Sequence, residues 1–208
     1  ITLAACVLSW ALGWHSRPAL ALWLPAGAGW VTCGALLLRA GVPGWPHIAA
    51  PLRIAGGVLA LWLTWLAVAQ ARVIGINFLL SALVLVWVAD IFAYFAGRAL
   101  GTRLVARKLA PSISPGKSWE GVMGGMLGVV ALALAWVWAD AHFGAPVPSL
   151  YTLLAGAGWP LLLLVALGMA GMSVVGDLVE SLIKRSAGAK DSSGLLPGHG
   201  GVLDRVDA

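Results

Sequence analysis

A chain of 208 residues that is 61% hydrophobic and only 10% charged departs far from an ordinary soluble domain, which is roughly 45–50% apolar and about 25% charged. This composition excludes a soluble globular protein and predicts an all-α integral membrane protein, a polytopic bundle of transmembrane helices. The net charge of +5 then asks which loops carry it, and no nucleic-acid partner is expected.

A helix needs about 20 mostly apolar residues to cross a bilayer core. In chain order, apolar runs cover 1–12, 19–38, 54–69, 76–95, 122–139 and 151–175. The first is short and begins without methionine, so residues upstream of it are expected. No basic segment precedes it, which argues against a signal peptide. Cys6 and Cys33 fall in apolar runs with no second ligand nearby and read as packing residues. Trp14, Trp45 and Trp159 lie near helix ends, where indole rings suit the membrane interface.

Six crossings put the segments 39–53, 97–117 and everything after 176 on one side. Of the 13 Lys and Arg residues, only Arg17 and Arg72 fall on the other. Basic residues accumulate on the cytoplasmic side of membrane proteins, so this side is predicted to face the cytoplasm.

Function is sought where polarity enters the membrane against its cost. Asp90, in "LVLVWVADIFAYFAGR", is an intramembrane acid, and such acids are costly unless paired or facing a polar cavity. Tyr94 and Gly97 follow at spacings of four and seven and are expected on the same helix face.

The segment "LAPSISPGKSWEG" precedes the fifth run. Its "GKS" is not a P-loop, because Pro111 stands where glycine is needed and no strand can precede it. Two readings remain open. Ser112, Ser114, Ser118 and the amides of a helix start, with Lys117, would suit an anion, whereas Ser118 could simply cap the helix.

The richest stretch closes the chain: "GDLVESLIKRSAGAKDSSGLLPGHGGVLDRVD". Asp177, Ser181 and Lys184 recur at helical spacing and share a face. Arg185 and Lys190 add positive charge. Asp191, Asp204 and Asp207 offer hard oxygen ligands, and Gly194, Gly198, Gly200 and Gly201 allow close backbone approach. Carboxylates beside basic residues and glycine amides are what a magnesium nucleotide requires. A lipid-attracting basic tail would not need the acids or the "LPGHGG" turn.

The ordered run from Ser181 through Lys184-Arg185 and Lys190-Asp191 to "LLPGHGG" and "DRVD" resembles the signature of the phosphatidate cytidylyltransferases. "ADIFAYFAGRALG" and "LAPSISPGKSWEG" resemble earlier motifs of that family. The resemblance covers roughly the second half of the chain. Family members usually continue into another membrane helix beyond the position of Ala208.

The resemblance implies transfer of CMP from CTP to phosphatidate with magnesium, alone or with a second cation, in a site near the cytoplasmic face. It divides the chain into N-terminal membrane helices over 1–70 and a catalytic region over 71–208, with a cytoplasmic loop at 98–117 and a signature segment at 177–208. Asp177 and Asp204 are implied as the closest metal carboxylates, with Asp191 and Asp90 as further ligands or orienters. Lys184, Arg185, Lys190 and Arg205 would bind phosphates, with Gly200 and Gly201 approaching the substrate. The segment from Ser114 through Lys117 and Ser118 to Glu120 would close over the nucleotide. His199 is either an acid or phosphate donor or a structural hydrogen-bonding residue. A homodimer among membrane lipids is implied, with a bacterial cytoplasmic membrane as its place. The alternatives are a polytopic transporter, which would spread acids across helix centres, and a non-catalytic protein that binds anionic lipid. The twin-Asp helix of the CDP-alcohol phosphotransferases is absent.

Overall fold

The computed structural model describes residues 1–17, 20–190 and 193. Its helices are α1 (Thr2–Ala11), α2 (Leu20–Gly44), α3 (Ala50–Ile74), α4 (Ile76–Leu100), α5 (Trp119–Phe143), α6 (Leu150–Ala157) and α7 (Trp159–Ser186). Among the described residues, α2, α3, α4, α5 and α7 are long and apolar enough to cross a membrane. The three helices of 25 residues that follow α2 each rise about 37 Å, more than a hydrocarbon core of about 30 Å. The chain is therefore a polytopic membrane helix bundle.

Of the six expected crossings, the first run forms the ten-residue α1 at the start of the given chain, and one takes another form. The last is not one helix, because Gly158 adopts φ +140 between α6 and α7 and Pro160 sits in the first turn of α7. That φ disfavours any side chain, and proline is tolerated at a helix start but not inside. In the sequence 151–175 reads as one run, because the apolar character of "GAGWPLL" masks the break.

The closest packing joins α4 to α5. A methyl added at Gly121 would lie 3.0 Å from the Ala93 carbonyl oxygen, one at Gly125 2.7 Å from that of Ala89, and one at Gly128 2.5 Å from the Phe92 ring. Helices in lipid gain little from the hydrophobic effect and associate through such small-residue approaches. The core continues from this seam through Leu85, Val129, Ala133, Tyr151, Leu162, Ala166 and Ala170, so α4, α5, α6 and α7 share it. α1 joins through α3, where the Trp62 indole donates to Ser9 Oγ at 2.9 Å. Cys6 is buried there, whereas Cys33 on α2 is exposed.

One end of the bundle is closed by a polar network. Asn77 on α4 donates to Asp140 Oδ1 at 2.8 Å and to the Val147 carbonyl at 2.9 Å, while its own oxygen accepts from the Trp136 indole. Asp140 Oδ2 accepts from the Ser149 amide and the Thr152 hydroxyl. Ser149 caps α6 through the Thr152 amide. Both oxygens of this acid are used to hold the α5–α6 turn against α4, so its role is architectural.

The other end gathers the C-termini of α2, α4 and α7 and the N-terminus of α5. Ile113 in the α4–α5 loop packs with Leu178 and Leu182 of α7 and with Leu38, Val42 and Trp45. The described parts of the segments expected to share a side therefore gather here, and this is the basic end. Trp45 lies in that cluster, with the Arg53 guanidinium 5.8 Å from its ring centre.

The α4–α5 seam makes a direct prediction. Gly125→Leu must push against the Ala89 backbone, an overpacking cost of typically 1–3 kcal/mol. Its thermal midpoint in detergent should fall by roughly 3–10 °C. Gly116→Ala, where an added methyl meets nothing within 4 Å, should leave it unchanged.

Candidate active site

The loop between α4 and α5 is built from short local bonds. The Leu109 amide donates to the Lys117 carbonyl at 3.2 Å, Ser114 N–H to the Ala110 carbonyl at 2.8 Å, and Lys117 N–H to the Ser114 carbonyl at 3.2 Å. Lys108 Nζ donates to the Pro115 carbonyl at 2.7 Å. Two attachments hold this loop to the bundle. Ile113, 4% exposed, is its apolar anchor. Glu120, 1% exposed in the first turn of α5, is its polar one, because Oε1 accepts from the Leu104 and Val105 amides at 2.9 and 2.8 Å.

Glu120 is thus a brace for the loop backbone, a role that the sequence pattern did not suggest. The clue was an acid in a first helical turn, but its partners lie fifteen and sixteen residues earlier and no helical spacing points to them. Ser118 caps α5: its hydroxyl accepts from the Gly121 amide at 3.1 Å. Ser114 is partly buried and Ser112 is exposed.

A third attachment carries charge. The Lys117 ammonium forms an ion pair with Asp177 Oδ2 on α7, and Ser181 Oγ, one turn on, lies 3.4 Å from Asp177 Oδ1. The pair is partly shielded, with side chains 25% and 36% exposed. Two sequence motifs separated by sixty residues therefore meet at one point. On the same helix Lys184 pairs with Glu180, one turn back, at 3.0 Å. Arg185 and Lys190 are exposed.

Asp90 is partly buried on α4, next to Ala89 at the α5 seam. The face expected to include Tyr94 and Gly97 divides. Gly97 turns to α5, where an added methyl would lie 3.4 Å from Ser118 Oγ. Tyr94 is 58% exposed and its hydroxyl accepts from Arg98 at 2.9 Å. Asp191, His199, Gly200, Gly201, Asp204 and Arg205 lie outside the described residues.

Among the described residues no three acids, histidines or cysteines converge on a point that could hold a metal. Asp177 alone, its charge already offset by Lys117, does not make a divalent-cation site, which takes several oxygen ligands. What the described residues offer is the Lys117–Asp177 pair, with the Lys184–Glu180 pair and the exposed Arg185 further along α7. Cations so placed can neutralise and orient an anion.

Fold and site together define a polytopic membrane protein with a charged site at the basic ends of its helices. The chain belongs to the cytidylyltransferase family, whose model matches residues 2–208. It is 48% identical over 134 residues to a phosphatidate cytidylyltransferase of Haemophilus influenzae, covering 64% of this chain and 42% of that protein. Similarity to the Pseudomonas aeruginosa protein of the same name is 46% over 158 residues, or 75% of this chain and 52% of the relative. For that of Bacillus subtilis it is 42% over 134 residues, or 64% and 44%. The chain spans about half the length of these curated relatives.

If Glu120 braces the loop, Glu120→Ala strands two amides, and hydrogen bonds to a charged group are worth about 1.5–3 kcal/mol each. Tryptic cleavage at Arg103 and Arg107 in the folded, detergent-solubilised protein should accelerate by about 10-fold or more. Glu120→Gln, which keeps an acceptor, should fall between this variant and the parent.

Proposed function

We propose that the protein transfers CMP from CTP to phosphatidate, giving CDP-diacylglycerol and pyrophosphate. The observation that carries this reading is the meeting of Lys117 and Asp177. It joins the two segments whose motifs resemble this enzyme family, and the relatives bear the matching name. A phosphate oxygen of phosphatidate forms a bond to the α-phosphorus of CTP while the bond from that phosphorus to the β-phosphate oxygen breaks. Pyrophosphate leaves with the bonding electrons. The nucleophile is already anionic, so no strong general base is needed, and positioning and charge neutralisation dominate.

In this reading Lys117, Lys184, Arg185 and Lys190, with Arg205, hold phosphate oxygens. The braced loop keeps Lys117 within reach of α7, and Gly200 and Gly201 give the backbone close access to the substrate. Magnesium would be held by Asp177 with Asp204 and Asp191, and when bound would offset charge on the phosphates. Asp90 orients or supports from α4. The basic end faces the cytoplasm, where CTP is found, in a bacterial cytoplasmic membrane, and two copies pair as a homodimer. A transporter reading gains nothing from the structure, since Lys117, Asp177, Glu120 and Glu180 all gather toward one end.

Full-length protein in detergent should release pyrophosphate only with CTP, phosphatidate and a divalent cation together. Equal turnover with ATP, or none with any nucleotide in folded protein, would refute the assignment. Asp177→Asn and Asp204→Asn should each lower turnover by several orders of magnitude, and Asp191→Asn by about 10–100-fold if that residue only orients a ligand.

Orientation is separately testable. In a cysteine-free background, a cysteine at Ser112 should react with an impermeant maleimide only from the cytoplasmic side, and one at Ala145 only from outside. The reverse pattern would remove the site from the compartment that supplies CTP.

A further inference from the structure

Residues 1–89 include Arg17, Arg39, Arg53 and Arg72 but no Asp or Glu, so none of these arginines finds a carboxylate in its own part of the chain. Three of them are exposed. Arg53 is half-buried, with its guanidinium 5.8 Å from the centre of the Trp45 ring. Its Nε is buried without a hydrogen-bond partner, and among the described residues no acid pairs with it. Nearby acids at this end are committed elsewhere, Asp177 to Lys117, Glu180 to Lys184 and Glu120 to the Leu104 and Val105 amides. A ring face attracts a cation but accepts no strong hydrogen bond, and a guanidinium drawn out of water calls for a paired acceptor.

The corner that holds Arg53 is stiff. Trp45–His47 is a single 3-10 turn that contains Pro46, and Pro51 sits in the first turn of α3. The Ile48 amide donates to the Trp45 carbonyl at 3.2 Å, and His47 Nδ1 bonds the Pro43 carbonyl at 2.8 Å. Trp45 packs against the cluster of Ile113, Leu178 and Leu182, whose two α7 members directly follow Asp177 and Ser181 in the chain. One ring thus ties Arg53 to the packing that underlies the Lys117–Asp177 pair. Arg53 is fourth in α3, about 5 Å along it, at the basic boundary of the bundle. Its chain neighbours Leu52 and Ile54 are 66% and 65% exposed. An anion bound there is flanked by apolar surface, which suits a headgroup carrying acyl chains better than a soluble nucleotide.

We propose that Arg53, laid on Trp45, is the headgroup cation for an anionic lipid, its guanidinium donating two parallel N–H bonds to the phosphate of phosphatidate. As the seat of the lipid substrate it rests on the proposed reaction. It gives each anion its own cations: the lipid phosphate is held from the α2–α3 corner, and the nucleotide from α7 and the α4–α5 loop.

The test is binding without CTP or turnover, read by native mass spectrometry of full-length protein in detergent titrated with dioleoyl phosphatidate, dioleoyl phosphatidylcholine or glycerol 3-phosphate. Arg53→Gln should bind phosphatidate about 10-fold more weakly than the parent, and Arg53→Lys, which keeps the charge and loses the fork, should fall between them. Phosphatidylcholine binding should be equal in all three. Parental phosphatidate affinity in Arg53→Gln overturns the proposal, as does a parent that binds no phosphatidate. An equal loss of both lipids would make Arg53 a general interfacial anchor, and glycerol 3-phosphate binding as tight as phosphatidate would make this a site for soluble phosphate; either result also overturns it. If the thermal midpoint of Arg53→Gln shows misfolding, Arg53→Lys decides by the same criteria. Turnover separates the two levels. Phosphatidate bound through Arg53 with no CDP-diacylglycerol formed refutes the reaction and leaves the headgroup site, whereas turnover with parental lipid affinity in Arg53→Gln refutes the site alone.

Discussion

The close approach of α4 and α5 is the constraint on which the site depends. Gly121, Gly125 and Gly128 let α5 lie against the backbone of Ala89 and Ala93 and the ring of Phe92. With the two helices in contact up to Gly97 and Ser118, the 18 residues between them cannot run outward as a tether. They must fold back on a short base. The local bonds from Leu109 to Lys117 and the apolar anchor Ile113 are the result. Glu120 then finds the Leu104 and Val105 amides because α5 begins directly beneath them. Each step narrows where Lys117 can be, and it ends on Asp177.

The two ends of the bundle use acids differently. Asp140 accepts three hydrogen bonds from Asn77, Ser149 and Thr152, all neutral donors, in a network whose members are mutually satisfied. Such a network fixes one arrangement. Asp177 instead meets a flexible cation and, at long range, a hydroxyl. An ion pair on a partly exposed lysine is a weaker and more exchangeable contact. The architectural acid and the site acid are told apart by their partners, not by their depth or by their residue type.

Much of this was legible in the sequence because the membrane imposes a simple rule on composition. Apolar runs located the five long helices, and the skewed placement of Lys and Arg identified which loops share an end. The signature residues named Asp177 and Lys117 as candidates. Their contact was not legible, because it depends on how a loop folds over sixty residues of intervening chain. The bracing contacts of Glu120 were not legible for the same reason: its partners are backbone amides, which no residue pattern announces. The break at Gly158 was hidden by apolar neighbours that suit one helix or two equally well. Asn77 and Asp140 escaped notice, since a lone amide and a turn acid look like ordinary loop residues until the helix ends are brought together.

Position along the helix sets Glu120 apart from Asp90 and Asp177. Asp177 is nine residues before the C-terminal end of α7, about 14 Å from it at 1.5 Å per residue. Asp90 is ten residues before the C-terminal end of α4, about 15 Å from it, so the two lie at similar distances from the basic ends of their helices. Glu120 is second in α5, at the basic end itself. The cost of an acid rises toward the bilayer centre, so each position demands a different remedy. Glu120 is buried beneath its loop and takes backbone amides. Asp177, at the boundary, can be reached by a lysine whose stem lies along apolar surface while its charge stays near water. That boundary is where a soluble anion and a lipid headgroup can both arrive without either crossing the core.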